Sequence, residues 1–211
     1  MITSSTQAEQ IVSTGQADAV IIAAGAWTSR LIPELAPLLE VTRQVQAWIA
    51  PADGIDASLM PCWLFDRGPG QPAIYGLAPD PAAPAGADGN PTPCRYPKVA
   101  FHGSDVVVDP DLGAAPVTST DVDRLIECYR SIAPGLAGTP VTAATCLYTM
   151  SPDGHFLVGT RRGSRRTHLA AGLSGHGFKL APALGDALVD LALRGRTDLP
   201  IGFLSAARFD R

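Results

Sequence analysis

The sequence has few aromatic residues and no long hydrophobic run. Phe, Trp and Tyr together make up 6% of the 211 residues. The longest apolar run, residues 19–26, is far shorter than the roughly 20 residues that span a bilayer. The N-terminus carries neither the basic nor the apolar region of a secretory signal. We therefore expect a cytoplasmic protein that has no membrane partner.

The sequence also lacks a basic patch and closely spaced cysteines. Its formal net charge is −4, so nucleic acid is not an expected partner. The four cysteines, Cys62, Cys94, Cys128 and Cys146, are far apart and form no C-x-x-C pair. This spacing argues against a zinc site and against a disulfide framework. We expect no bound metal and reduced thiols.

What the sequence does contain is strand patterns of two kinds. Residues 17–25, ADAVIIAAG, hold a continuous β-branched apolar run that is typical of a strand buried on both faces in a parallel sheet. Residues 167–175, THLAAGLSG, predict a second such strand. Shorter strand patterns lie between them, several with the partial alternation of half-exposed antiparallel strands. We expect an α+β fold in which the two ends share one sheet and the middle builds another.

Two segments have the pattern of amphipathic helices. Residues 118–136, TSTDVDRLIECYRSIAPGL, begin with capping residues, and Ser119 or Thr120 is the expected cap. Residues 181–196 predict a second helix, with Pro182 in the first turn and Gly195 at its end. Residues 78–93 are almost entirely Pro, Gly and Ala, a composition typical of a loop or insertion.

The glycine-rich stretch AAGLSGHGFKLAPAL, residues 170–184, precedes the second helix. Its glycines and the helix start predict backbone N–H groups that face an anionic or flat ligand, with Lys179 beside them. The plainer interpretation is a surface turn with an incidental lysine. A serine hydrolase motif does not fit, because His176 stands where G-x-S-x-G requires its last glycine.

Two further patterns have a chemical and a plain interpretation. Lys98 and His102 are four residues apart in a strand and so share one face, which would be cationic or simply solvated. Cys146 lies in an apolar strand. A cysteine in such a setting is usually a small buried hydrophobic residue, and reactivity requires an accessible, electropositive environment.

Taken together, these stretches resemble the C-terminal part of the monomeric sarcosine oxidase and N-methyl-tryptophan oxidase family. Its members are FAD-dependent amine oxidases related to D-amino-acid oxidase. The resemblance runs from about residue 17 to the end, in the family's order, and its most specific motifs are CLYTMSPDGHF and GLSGHGFK. The other matching stretches are ADAVIIAAGAWTSRL, RQVQAW, PKVAFHG and TDLPIGFLSAARF.

The resemblance assigns a role to individual residues. It implies cofactor-binding roles for Ala24, Gly25, Trp27, Cys146, Gly175, His176, Gly177, Phe178 and Lys179. It implies catalytic roles for Lys98, His102, Tyr148 and Lys179. Cys146 matches the cysteine that is bonded covalently to the flavin. Lys179 matches a residue that binds the substrate carboxylate, and Lys98 matches the lysine implicated in oxygen activation. Tyr148 matches a residue that lines the substrate cavity.

The implied reaction is oxidation of the C–N bond of a secondary N-methyl amino acid such as sarcosine or N-methyl-tryptophan. The flavin accepts a hydride equivalent, the imine product hydrolyses, and O₂ reoxidises the flavin to give hydrogen peroxide. The resemblance also implies domains: residues 1–40 and 146–211 in an FAD-binding domain, and residues 41–145 in a substrate-binding domain with an antiparallel sheet.

The sequence departs from the family at its front, where no G-x-G-x-x-G motif of a dinucleotide-binding βαβ unit is found. We therefore expect a truncated two-domain flavin oxidoreductase. One hypothesis is that a separate N-terminal half or a homo-oligomer completes the site. The alternatives are an inactive truncated product and a domain repurposed for binding without flavin chemistry. Gly154 stands where family members usually have a glutamate, and the insertion before Lys98 is longer than the family's turn. The sequence therefore does not identify the amine substrate.

Overall fold

The computed structural model of the protein describes residues 17–84 and 92–210; residues 85–91, within the predicted insertion 78–93, and residues 1–16 lie outside this part. The fold is a mixed α and β arrangement with an antiparallel sheet. The strands are β1 Val20–Ile22, β2 Glu40–Pro51, β3 Trp63–Phe65, β4 Ala73–Leu77, β5 Lys98–His102, β6 Ala137–Met150, β7 Leu157–Thr160 and β8 Thr167–Ala171. The α-helices are α1 Thr28–Leu31, α2 Ser119–Ile132 and α3 Ala181–Arg194.

The chain divides into two compact units. The first holds the described residues up to Thr42, the short segment Asp109–Asp111, and the described residues from Tyr148 onward. The second holds Arg43–Val108 and Leu112–Leu147. Cys146 belongs to the second unit. The assignment of these units to cofactor and substrate stays a prediction.

The first unit is built on a three-stranded sheet of order β1-β8-β7. β1 pairs with β8 in parallel, and β8 pairs with β7 antiparallel. Helix α3 supplies Leu184 and Leu188 to a core cluster with Phe156, Val158 and Ala170. A second cluster joins Leu157, Leu169 and Ala171 to the segment around Ile32 and Leu35. The prediction that both ends of the chain share one sheet is confirmed.

Strand β1 differs from its prediction in one respect. The continuous apolar run predicts burial on both faces, but Ile21 is 43% exposed. Among the described residues β1 is an edge strand that pairs only with β8, so the run is covered less completely than a central parallel strand would be.

The second unit is built on a five-stranded sheet of order β3-β4-β5-β2-β6. The described β3–β4, β4–β5 and β2–β5 pairs are antiparallel. Helix α2 covers one face and contributes Leu125, Ile126, Cys128 and Tyr129 to a core that contains Ala47, Ile49, Ile74 and Val99. Trp63 stacks on Tyr129 with ring centroids 5.7 Å apart. A side chain at Gly76 would overlap the Trp63 indole, so glycine is required there for packing.

The N-cap of helix α2 lies one or two residues before the two expected caps. The N-cap is Thr118, whose hydroxyl accepts from the backbone N–H of Asp121 at 3.2 Å, while the Asp121 carboxylate accepts from the Thr118 N–H. The expectation of Ser119 or Thr120 is therefore wrong by one or two residues. Asp121 is the only one of the nearby acids in register to complete this reciprocal capping box at the third helical position.

Helix α3 confirms its predicted ends. Pro182 lies in the first turn, and Gly195 closes the helix with a φ of +70°, a conformation that favours glycine. Within the described part of the chain, no helix combines the length and the apolar character needed to cross a membrane.

Candidate functional site

Lys98 and His102 lie at the two ends of β5, on the sheet face that α2 does not cover. Val99 and Phe101 alternate with them and pack against the α2 core. Ala100, between the two polar residues, is paired with Tyr75 on β4 and with Gln46 on β2. Directly paired residues share a face, so this polar face carries a lysine, a histidine, a tyrosine and a glutamine.

The Lys98 ammonium is held from both neighbouring strands. Its Nζ donates a hydrogen bond to Oε1 of Gln46 at 3.1 Å. The same Nζ lies 5.6 Å from the centroid of the Tyr75 ring, within range of a cation–π interaction. The Tyr75 ring also meets the His102 imidazole edge to face, with ring centroids 6.3 Å apart. Tyr75 thus links the two predicted catalytic residues of the second unit.

Cys146 shares the face of Lys98. Ala143 on β6 packs against the α2 core, and alternation along the strand directs Cys146 to the opposite face. Burial raises the pKa of the Cys146 thiol, and the positive charge of Lys98 opposes that rise. The thiolate is the nucleophilic form of cysteine, so Lys98 favours the form of Cys146 that can react.

The glycine-rich loop lies in the first unit, where a buried serine fixes its shape. Ser174 adopts a φ of +46°, an uncommon conformation for a residue other than glycine. Its hydroxyl donates to the carbonyl of Gly172 at 3.0 Å and accepts from the N–H of Ser151 at 3.2 Å. Its own N–H donates to the carbonyl of Thr149 at 3.0 Å. These bonds stabilise the left-handed conformation at the entrance to the loop.

Two of the loop glycines are required by internal packing. A side chain at Gly175 would overlap the ring of Tyr148, and one at Gly177 would overlap Leu173. The predicted site residues Tyr148 and Gly175 are therefore in contact. His176 packs its ring on Phe156 with centroids 4.6 Å apart. Its Nδ1 donates to the carbonyl of Ser174 at 3.0 Å, because a carbonyl oxygen only accepts.

The backbone at the end of the loop leaves hydrogen-bond donors free. No described residue accepts a hydrogen bond from the N–H groups of Gly177, Phe178 or Lys179. No side chain caps either the short 3₁₀ turn Phe178–Leu180 or the helix α3 that follows it. Phe178 is 95% exposed, and the side chain of Lys179 is exposed as well. Phe178 and Lys179, just before α3, therefore offer backbone donors and a cation on an accessible surface, whereas Gly177 is buried.

The third part of the predicted site follows β1. Ala24 precedes Gly25, which has a φ of +52° and open space where a side chain would project. Trp27 is 38% exposed, and its indole Nε1 donates to the Asp111 carboxylate at 3.0 Å. Arg30 also bonds Asp111, at 3.0 Å. The backbone at Gly25 is thus open to close approach, while Trp27 is held in place.

The structure groups the predicted residues within each unit. In the second unit Lys98, His102 and Cys146 share one sheet face; in the first unit Tyr148 contacts the glycine-rich loop. Sequence reasoning missed Gln46 and Tyr75, which hold Lys98. Strand alternation within β2 and β4 is a signal for their faces, but the register between strands is needed to place them beside Lys98. Among the described residues, no group of three His, Cys, Asp or Glu side chains is arranged to bind a metal.

Comparison with known proteins shows which family the chain belongs to. The sequence model of a family described as FAD dependent oxidoreductase matches residues 2–191. The monomeric sarcosine oxidase of Streptomyces avermitilis is 31% identical over 205 residues, which cover 95% of this chain and 50% of that protein. The peroxisomal sarcosine oxidase of Mus musculus is 35% identical over 191 residues, covering 85% and 45%.

A solved structure resembles the fold as well. NikD, described as an unusual amino acid oxidase essential for nikkomycin biosynthesis, superposes with a TM-score of 0.65 at 25% sequence identity. The match covers 89% of this chain and 47% of NikD. The chain thus spans about half the length of the relatives that it matches.

Proposed function

Because this chain belongs to the FAD-dependent oxidoreductase family, we propose that it forms the C-terminal part of an FAD-dependent amine oxidase. The proposed substrate is a secondary N-methyl amino acid such as sarcosine or N-methyl-tryptophan, with O₂ as the electron acceptor. The sarcosine oxidases among its relatives support this substrate class. Since the chain spans about half of each relative, the proposed activity belongs to an assembly that also contains the other half.

The observation that carries the proposal is the pairing of Cys146 with Lys98 on one sheet face. A thiol attached to a flavin must first lose its proton, and burial alone works against that loss. The Lys98 ammonium works in favour of it. A half-buried cysteine that served only as a small apolar residue would gain nothing from a neighbouring cation, so the pairing supports covalent attachment at Cys146.

The loop of the first unit gives a second, independent argument for a flavin. The isoalloxazine ring has carbonyl and nitrogen acceptors along one edge, and the free N–H groups of Gly177, Phe178 and Lys179 fit such acceptors. The open backbone at Gly25 fits a cofactor that passes close to the chain. The donor set of this unit is therefore suited to FAD.

FAD, when bound, supplies the two-electron oxidation of the C–N bond and passes both electrons to O₂, which yields hydrogen peroxide. The chain's own residues are proposed to bind the substrate and to stabilise charge that develops during the reaction. Lys179, an exposed cation, is proposed to bind the substrate carboxylate. Lys98, fixed by Gln46 and Tyr75, is proposed to stabilise the negative charge that develops on oxygen. Tyr148 is proposed to line the substrate cavity, and His102 is proposed to be an active-site histidine.

The test is an intact-mass measurement under denaturing conditions. The chain is produced together with the matching other half of a relative, such as the Streptomyces enzyme, and its mass is compared with that of two variants. We expect a mass gain of one FAD for the original chain and for Cys62→Ser, an exposed cysteine elsewhere in the second unit. We expect no gain for Cys146→Ser, because its hydroxyl does not replace the thiolate.

The other outcomes separate the alternatives. A full mass gain in Cys146→Ser overturns the attachment site. An unmodified mass together with flavin absorbance in the native protein keeps the flavin but overturns the covalent bond. A folded assembly that holds no flavin in any form favours a domain that binds a partner without redox chemistry.

A further inference from the structure

Two arginines from different elements each place a guanidinium group near the ring of Phe101. Arg67 lies in the β3–β4 connection, with its guanidinium carbon 5.7 Å from the ring centroid. Arg124 lies on α2, with its guanidinium carbon 5.5 Å from the same centroid. Both side chains line one cavity of about 410 Å³, together with Gln71 and Glu127. Two cations from separate elements thus converge on one ring and one cavity.

Neither guanidinium has an acidic partner in the described part of the chain. No described residue accepts a hydrogen bond from Arg67 or Arg124, although Arg30, Arg43, Arg161 and Arg208 all form ion pairs. A cation–π contact with the Phe101 ring stabilises each guanidinium, but the two like charges repel each other. The arrangement therefore holds ten N–H donors without a described acceptor.

We propose that Arg67 and Arg124 form a binding site for a small anion, a carboxylate or a phosphate group. A guanidinium packed on an aromatic ring keeps its in-plane N–H groups free, and these groups match the paired oxygens of carboxylate and phosphate. The ring fixes both guanidinium groups before the ligand arrives, so less side-chain freedom is lost on binding. An anion in the cavity also removes the repulsion between the two arginines.

Arg67, Phe101 and Arg124 are not among the residues of the proposed oxidase chemistry, although His102 lines a neighbouring cavity with Phe101 and Arg124. Phe101 packs on the α2 side of the sheet, whereas its neighbours on β5, Lys98 and His102, face the other side. The inference goes beyond the proposed function and does not depend on a bound flavin. A free phosphate compound and an amino acid carboxylate are both suitable sources of the anion, and the experiment distinguishes them.

The test follows the arginine Nε–H resonances of the full 211-residue chain by NMR. Sodium phosphate, sodium succinate and sarcosine are titrated separately at constant ionic strength, with sodium chloride as the reference. We expect saturable shifts at Arg67 and Arg124 and none at Arg130, an exposed arginine on the same helix. Tighter binding of phosphate indicates a phosphate ligand, and tighter binding of succinate or sarcosine indicates a carboxylate ligand.

Variants complete the test. Arg67→Gln and Arg124→Gln are each expected to weaken binding by about tenfold or more, and Arg130→Gln to leave it unchanged. Arg124→Lys keeps the charge but loses the planar fork, so we expect intermediate affinity. Far-UV circular dichroism verifies that each variant keeps its fold. Shifts that rise linearly without saturation, or binding that survives in both glutamine variants, overturn the proposal.

Discussion

The two long helices have the same length, but only one of them has its first turn capped by side chains. Both α2 and α3 contain 14 residues and place one apolar face on a sheet. In α2 the first turn is closed by Thr118 and Asp121, and the buried Arg43 binds the Asp121 carboxylate at 2.8 Å. In α3 no side chain caps the first turn, and the preceding loop leaves backbone donors free.

This difference in capping distinguishes a helix start that serves only the fold, in α2, from one that is available to a ligand, in α3. Unsatisfied N–H groups at a helix start are costly when they are buried and useful when an acceptor can reach them. The second unit satisfies the start of α2 internally and carries its candidate chemistry on the opposite sheet face. The first unit instead carries its candidate chemistry at the start of α3 itself. The two helix starts should therefore respond differently to mutation.

The largest expected effect is at the satisfied helix start. Asp121→Ala removes the partner of Arg43, whose side chain is only 8% exposed, and one half of the capping box. Arg43 keeps its hydrogen bonds to the carbonyls of Ala115 and Pro116 but loses its counter-charge. We expect the free energy of unfolding to fall by about 3 kcal/mol. Urea denaturation followed by tryptophan fluorescence measures this loss.

The matched control is Asp123→Ala, on the same helix but exposed. It removes the same carboxylate group without touching Arg43, so we expect a change within about 0.5 kcal/mol. Equal losses in the two variants would show that the Arg43 contact adds nothing to the stability of the α2 start, and the contrast between the helices would disappear.

Acid should weaken the same contact. The Arg43 guanidinium lowers the pKa of Asp121 from 3.8 to about 2. A lowered carboxyl pKa contributes stability that is complete above the unfolded-state value and is lost as the pH falls from about 4 to about 2, worth about 2 kcal/mol. Asp153 has a lowered pKa too, through Arg208 in the first unit. Denaturation of the original chain and of Asp121→Ala at several pH values isolates the Asp121 part as the difference between them.

If the stability difference between the original chain and Asp121→Ala stays constant from pH 5 to pH 2, Asp121 has an ordinary pKa in the folded protein. The ion pair with Arg43 would then be too weak to distinguish the two helix starts.

In the first unit, the loop before α3 should be sensitive at Gly175. Gly175→Ala forces a side chain into the Tyr148 ring and requires alanine to adopt a φ of +77°. We expect a loss of about 2 kcal/mol. Gly25→Ala has a similar backbone requirement but open space around the added methyl group, so it should cost only about 1 kcal/mol. Thermal unfolding of both variants measures the difference.

Equal losses at Gly175 and Gly25 would mean that backbone conformation alone sets the cost at both positions. The contact between Tyr148 and the loop would then be loose enough to accommodate the added methyl group.

Sequence patterns predict which helices and strands form better than they predict how exposed each element is or which residue caps it. The strand runs within residues 17–25 and 167–175 and both long helices are recognisable because apolar runs, capping residues, Pro182 and Gly195 act locally. The exposure of Ile21 is not predictable in this way, since an apolar run does not tell whether its strand lies at a sheet edge. The cap at Thr118 was missed because the stretch TST offers three similar residues, and only hydrogen-bond geometry selects one.

The same limit applies to the candidate site. The shared face of Lys98 and His102 follows from their spacing within one strand. The contacts of Gln46 and Tyr75 with Lys98 depend on the register between three strands, which no single segment encodes. The convergence of Arg67 and Arg124 on Phe101 depends on a helix, a loop and a strand that meet only in the folded unit.

The smallest expected effect is a gain in stability at the middle of α3. Gly185 lies inside the helix with an ordinary helical conformation, and nothing is within 4 Å of the position where a methyl group would project. Gly185→Ala should raise the free energy of unfolding by about 0.5–1 kcal/mol, since alanine restricts the unfolded chain and favours the helix. Thermal and urea unfolding measure it beside Gly175→Ala, which adds the same methyl group ten residues earlier. A loss of stability at Gly185 would indicate that another part of the assembly covers this surface of α3. The middle of the helix would then be less exposed than its start.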